Sequence, residues 1–228
     1  SYTKLAIGDP VRIYGAPSLK SFDIRNYQAS LTDLNVSRAA TGNTDCLLEG
    51  IYLGTENGTN SSLTAISGLN SIKSLKELDI RGFKSLTELT LTDLTGLNKF
   101  LAANSGLTAF SPASGVNLSE VSLPNTLQVL TMNNASVESF GYVPTATLRY
   151  LSLKNVKGID TLDFVKNWVS AINGSANAEL LMKQATFEAS GLNWTMTAAE
   201  LIEIGKIGNK NLTGKAYLTV TPTVDEIT

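Results

Sequence analysis

One pattern limits what this chain can fold into: the six-residue unit L-x-x-Φ-x-Φ, with Φ apolar, returns from near the start to about residue 164. Full copies read Leu19-Phe22-Ile24, Leu31-Leu34-Val36, Leu48-Ile51-Leu53, Leu75-Leu78-Ile80, Leu86-Leu89-Leu91, Leu97-Phe100-Ala102, Leu118-Val121-Leu123, Leu127-Leu130-Met132 and Leu148-Leu151-Leu153. Shorter copies stand at Leu63-Ile66, Leu107-Phe110 and Val137-Phe140. From Leu75 to Leu148 the starts lie about 9 to 11 residues apart, and pairs of them make a unit of about 21. Side chains alternate along an extended strand, so the Φ-x-Φ pair shares one face, and the leading Leu turns into the same core from the bend. One unit cannot bury that face alone. Stacked copies share a continuous core, with stability carried by neighbour contacts.

A stack of this kind accounts for an unusual composition. Charged residues make up 17% of the chain, where about 25% is usual, while 22 Ser, 25 Thr and 19 Asn accompany 32 Leu among 228 residues. Leucine fills the inside, and small hydroxyl and amide residues cover the bends. Other numbers exclude function classes. A net charge of -2 lacks the basic excess that neutralises phosphates, so nucleic acid is not an expected partner. Without His there is no imidazole base, and the single Cys46, in D-C-L-L, is expected to be a buried small hydrophobe. No metal site or cofactor is expected: Gly-rich phosphate loops and the calcium-loop signature are both missing. No apolar run approaches the roughly 18 to 20 residues that span a bilayer, so membrane insertion is not expected.

The clearest full units are Leu97 to Asn117 and Leu127 to Thr147, with a third beginning at Leu148. Each passes an Asn (Asn104, Asn133, Asn155) before a second apolar pair such as Leu107/Phe110 or Val137/Phe140. L-Q-V-L-T-M-N-N at Leu127 to Asn134 and L-R-Y-L-S-L-K-N at Leu148 to Asn155 resemble the leucine-rich repeat, L-x-x-L-x-L-x-x-N, and the likeness covers roughly residues 5 to 164. It implies an α/β class: a leucine-rich-repeat-like solenoid of short parallel strands over residues 1–158, closed by a strand-helix cap over 159–228. A right-handed parallel β-helix is the alternative for the same period, with the second apolar pair of each unit as another strand. The Asn ladder is incomplete, because Arg81-Gly82 and Thr92-Asp93 stand where other units have Asn. Thr55 to Ser62 reads as a protruding loop with a turn at Asn57-Gly58.

Beyond residue 158 the period changes. Asp160 to Ile172 has an acidic first turn, apolar residues at 165, 168, 169 and 172, and an Asn173-Gly174 stop, which predicts a capped helix. Residues 179–189 are expected to be a strand, Thr197-Ala-Ala-Glu200 a capping box opening a helix through about Lys206, and Leu212 to Val220 a strand. The frame T-x-T-x-x-E-Φ at Thr195 to Leu201 returns at Thr221 to Ile227, so the chain is expected to stop at the start of a further strand-helix unit. Such units after a leucine-rich stretch look similar to large modular surface and virion proteins of gut bacteria and their phages. That resemblance implies an extracellular, virion or bacterial cell-surface location.

The expected function is a non-enzymatic structural or adhesive module. It binds a protein, either a neighbouring subunit or a surface receptor, with glycan as a further partner class. The outward strand positions proposed for contact are Glu77, Asp79, Arg81, Glu88, Thr90, Thr92, Lys99, Glu120, Arg149, Tyr150 and Lys154, together with an outward Tyr52. The competing reading is a carbohydrate-binding or carbohydrate-processing β-solenoid of the phage tailspike kind. It would need two carboxylates about 5 to 10 Å apart, from Glu77 with Asp79, Glu88 with Asp93, or Glu120. Interspersed Lys76, Arg81, Lys84 and Lys99 favour a solvated or protein-binding face instead. Asp23-x-Arg25 and Asp79-x-Arg81 repeat one triplet, which reads as local ion pairing on an exposed strand.

Overall fold

The computed structural model describes residues 19–36, 47–192 and 194–213, and the backbone of 218–221. Its strands are β1 (Ser21–Asp23), β2 (Leu34–Asn35), β3 (Gly50–Tyr52), β4 (Ile66–Ser67), β5 (Glu77–Asp79), β6 (Lys99–Leu101), β7 (Ala109–Phe110), β8 (Asn117–Ser122), β9 (Val129–Thr131), β10 (Ser136–Gly141), β11 (Tyr150–Lys154), β12 (Thr186–Ser190), β13 (Trp194–Thr197), β14 (Asn209–Thr213) and β15 (Leu218–Thr221). Among the described residues three α-helices accompany them: α1 (Thr161–Asn173), α2 (Ala178–Gln184) and α3 (Ala198–Gly205). The protein is therefore mixed α/β, with parallel pairing between its named strands and few helices. A six-stranded sheet runs β1-β3-β5-β6-β8-β10, a five-stranded sheet runs β14-β12-β11-β9-β7, and two-stranded pairs are β2-β4 and β13-β15. Neither large sheet closes into a barrel.

Consecutive copies of the Leu motif go to different sheets. Leu78, Phe100, Val121 and Phe140 are register partners in the six-stranded sheet, and Phe110, Leu130, Leu151 and Phe187 in the five-stranded one. The two rows meet inside one core, where Phe100 stacks on Phe110 with centroids 5.0 Å apart. The leading leucines Leu75, Leu97, Leu107, Leu127 and Leu148 are all buried, as their position in the bend requires. Bend hydroxyls reach back two copies, to the previous pass of the chain. Ser74 donates to the Leu48 carbonyl at 2.8 Å, Thr126 to Leu107 at 2.8 Å and Thr147 to Leu127 at 3.1 Å. This is where the abundant Ser and Thr are spent: backbone carbonyls in the bends find a partner without a charged side chain.

The turn seven residues after the leading Leu has its own rule. Asn104, Asn134 and Asn155 have φ of 59°, 59° and 53°, and Gly82 has φ of 80°. Asn and Gly are the residues that tolerate this left-handed conformation, so Gly82 substitutes for the missing Asn. In the second full unit the ladder residue is Asn134, not Asn133. Asn133 instead accepts hydrogen bonds from the Ser152 hydroxyl and the Lys154 N–H. Asn155 donates to Asn134 at 2.9 Å, and Asn134 to Ser114 at 3.0 Å.

Three expectations for single elements are corrected. Residues 179–189 are not one strand: α2 occupies the first part, with Lys183 and Glu179 paired four residues apart and Met182 buried, and β12 begins only at Thr186. The stretch E-L-L-M-K-Q consists of good helix formers, which is why the helix wins there. Leu212 to Val220 is divided between β14 and β15, with 214–217 outside the described residues. The Leu86 copy forms no named strand. Leu91 makes a single bridge to Pro112, whose missing N–H stops the ladder.

The predicted N-caps are present, and the first helix stops at Gly174 without a left-handed cap, its φ being -75°. The Asp160 side chain accepts from the Asp163 N–H at 3.0 Å, and Thr197 with Glu200 forms a reciprocal capping box at α3. α1 turns Phe164, Val165, Trp168, Val169 and Ile172 inward. Its Trp168 indole donates to the Leu148 carbonyl at 3.1 Å, and Phe187 lies between Trp168 and Trp194. β13 and β15 pair with Thr197 opposite Thr221, whereas the sequence frame aligns Thr197 with Thr223. The remainder of that frame, 222–228, and Cys46 lie outside the described residues.

Candidate interaction face

The six-stranded sheet brings part of the expected contact set together. Register places Glu77 opposite Lys99, and Lys99 opposite Glu120. Strands lie about 4.8 Å apart, so the backbones of the two acidic positions are about 10 Å apart with the lysine between them. The Lys99 ammonium pairs with Glu120. Glu77 accepts a 2.8 Å hydrogen bond from the Tyr52 hydroxyl. Burial, and then this bond to an anion, push the Tyr52 phenol up to about 12. The Arg25 guanidinium covers the Tyr52 ring at 5.4 Å from its centroid. Arg25 also holds Asp23 through hydrogen bonds of 3.0 and 3.1 Å, which lower the Asp23 pKa and raise that of Arg25.

Asp79 does not face water. Its residue is 2% exposed, and Arg81 covers it with hydrogen bonds of 3.0, 3.2 and 2.7 Å while reaching Glu56 at 3.4 Å. Asp79 is therefore a structural anchor for Arg81 rather than a contact residue. The first copy of the triplet, Asp23 with Arg25, is 44% exposed at both side chains and fits the expectation of surface pairing.

The remaining positions lie elsewhere. Tyr150 and Lys154 belong to β11 in the five-stranded sheet, with Arg149 next to it. Lys154 pairs with Glu188 of β12, which raises the lysine and lowers the carboxylate pKa. Arg149 donates to the Ala146 carbonyl at 2.7 Å. Glu88, Thr90 and Thr92 are exposed, but they lie outside any named strand. The set thus divides between two sheets and a connecting stretch, because alternate Leu motifs enter different sheets.

Sequence reasoning did not find Gln28, Asn60 or Glu188. Gln28 and Asn60 are buried polar residues beneath the face, and the Thr55 to Ser62 segment they hold is pinned down rather than protruding. Nothing in the local sequence N-G-T-N-S-S distinguishes Asn60 from Asn57. The Asn57-Gly58 turn is present, closed by the Gly58 N–H on the Thr55 carbonyl.

Three of the candidate acids are paired with cations. Asp79 is clamped by Arg81, Glu120 by Lys99, and Asp93 lies 3.5 Å from Lys73. Asp23, Glu49, Glu179, Glu188, Glu200 and Glu203 are all shifted below the ordinary carboxylate range, each by a hydrogen-bonded cation or N–H donor. Among the described residues no helix is long and apolar enough to cross a membrane. Comparison with models of protein families, with curated proteins and with solved structures finds no match.

Proposed function

We propose that this chain is a non-enzymatic, protein-binding module of a larger extracellular or virion protein, built as a leucine-rich-repeat-like solenoid. Its binding surface is the outward side of the six-stranded sheet. The solenoid reading draws on the parallel partners Ile51, Leu78, Phe100 and Val121, one from each successive pass, and on the left-handed Asn or Gly at a fixed place after the leading Leu. The five-stranded second sheet favours the β-helix variant of the same stacked architecture. The placement in a surface or virion protein rests on the resemblance of the repeat and its strand-helix units.

The observation that carries the binding reading is the registered row Glu77–Lys99–Glu120, flanked by Tyr52 and Arg81. Side chains fixed on strands lose little freedom on association, and alternating charge gives a partner a complementary pattern to read. The test exchanges the row's signs. A Glu77→Lys, Lys99→Glu, Glu120→Lys variant keeps the Lys99–Glu120 attraction and inverts the field shown to a partner. Adhesion of the immobilised chain to its receptor-bearing cells or neighbouring subunits should fall at least tenfold. Unchanged adhesion by a folded triple variant would exclude this face.

A further inference from the structure

The turn carrying Arg25, Asn26 and Tyr27 is held more firmly than an exposed turn needs. The next residue, Gln28, is 4% exposed. Its side-chain N–H donates to the Arg81 carbonyl at 2.6 Å, and its side-chain oxygen accepts from the Thr55 N–H and hydroxyl at 3.1 and 3.3 Å. Its backbone carbonyl accepts from Asn60 at 2.6 Å. The three residues before it face water, and Tyr27 is 71% exposed. Beside them is an open hollow of about 450 Å³ lined by Asp23, Ile24, Arg25, Asn26, Tyr27 and Thr55.

The chemistry of this lining narrows the ligand. Ile24 is its one aliphatic side chain. A protein anchor residue would call for an apolar, desolvated pocket. Asp23 and Arg25 neutralise one another, so a phosphate or sulfate would find the guanidinium already engaged. What remains is an aromatic ring beside a carboxylate, a guanidinium, an amide and a hydroxyl. These groups complement a molecule with an apolar face and a hydroxylated edge, the surface of a pyranose ring.

We propose that the Arg25–Tyr27 turn is a binding site for a neutral oligosaccharide, with one pyranose ring against Tyr27 and its hydroxyls bonded by Asp23, Arg25 and Asn26. The buried Gln28 and Asn60 amides preorganise the turn, which lowers the entropy lost on binding. The site adjoins the row through Tyr52, which lies under Arg25 and donates to Glu77, and it makes no use of Lys99 or Glu120.

The test titrates the isotope-labelled intact chain with xylohexaose, cellohexaose, mannohexaose and maltohexaose, and with sialyllactose as an anionic comparison, following amide signals by NMR. At least one neutral hexasaccharide should move the signals of residues 23–27 and 55, with a Kd on the order of 1 mM. Tyr27→Ala should weaken it tenfold, equivalent to about 1.4 kcal/mol, while Tyr27→Phe binds within about threefold of the parent because the ring face persists. A Lys99→Glu, Glu120→Lys exchange, which leaves the Glu77–Tyr52–Arg25 contacts in place, should bind the sugar as the parent does, so failure of the protein face and failure of this site are separable. Silence toward all four neutral sugars at about 10 mM, well above that Kd, overturns the proposal. So does binding indifferent to Tyr27→Ala, or a preference for the sialylated sugar. Loss of protein adhesion in Tyr27→Ala without any sugar response assigns the turn to the protein partner instead.

Discussion

Asn60 joins three successive passes of the chain, and removing its side chain measures that tie directly. Its Nδ2 donates to the carbonyls of Gln28 and Leu31 at 2.6 and 2.7 Å, and its Oδ1 accepts from the N–H groups of Ser62 and Leu63 at 2.9 and 2.8 Å. Its backbone bonds Gly82 and Lys84 in the next pass and stays in place on mutation. In Asn60→Ala, water can reach the exposed Ser62 N–H, and the Gln28 carbonyl still accepts from Leu31. The Leu63 N–H and the Leu31 carbonyl belong to buried residues and lose the amide that satisfied them. Two stranded groups at about 1–3 kcal/mol each give a loss of about 2–6 kcal/mol. A midpoint loss of about 4 kcal/mol lowers Tm by about 8–16 °C for a chain of this size. Urea unfolding should show a reduced midpoint at unchanged slope, and the Leu63 amide should lose most of its protection from hydrogen exchange. Asn57→Ala, in the same segment but exposed, should stay within about 0.5 kcal/mol of the parent. A loss below about 1 kcal/mol in Asn60→Ala would refute the reasoning. Asn60→Asp adds a sign test. The new carboxylate, buried against two carbonyls, has a folded pKa above its unfolded value of about 3.9. Its deficit is therefore smallest below about pH 4 and grows as pH rises through the folded value; a deficit independent of pH would contradict the burial.

Three further outcomes follow from the geometry. Arg81→Ala leaves the buried Asp79 carboxylate unpaired and should cost about 3 kcal/mol, whereas Arg25→Ala in the exposed copy of the triplet should cost under about 1 kcal/mol; equal losses in chemical denaturation would contradict the difference in burial. Tyr52 and Tyr142 ionise only near 12, chiefly because burial disfavours the phenolate, so their contribution to stability is complete below about pH 10 and lost as pH rises through about 12. Ultraviolet titration should resolve at least these two late tyrosines in the folded chain, merging with the rest in denaturant. Thr197→Ala removes the α3 cap and should cost about 1 kcal/mol, with Thr197→Ser retaining most of it; a neutral Thr197→Ala would mean that the capping box contributes nothing.

Much of the architecture is local and could be read residue by residue. The alternation in L-x-x-Φ-x-Φ identifies the core positions, and Leu75, Leu78, Ile80, Leu148, Leu151 and Leu153 are all buried. Asp160, Thr197 and Glu200 mark helix starts because a cap satisfies N–H groups within three residues of itself. The candidate face was legible only in pieces. Glu77, Lys99 and Glu120 were recognisable as outward positions, and register brought them together.

What the tertiary structure alone decided is the destination of each piece. The chain reads Asp-Ile-Arg at 23–25 and again at 79–81, and by itself it determined that each Asp pairs with its Arg two residues on. It did not determine that one pair stays in water while the other is covered. Among the described strands, Asp23 lies on the terminal one of its sheet and Asp79 on an inner one, between Tyr52 of β3 and Leu101 of β6. Alternation along a strand is fixed by bonds a few residues long. Burial, and the sheet a strand joins, depend on the preceding and following passes of the chain, whose arrival no local pattern encodes.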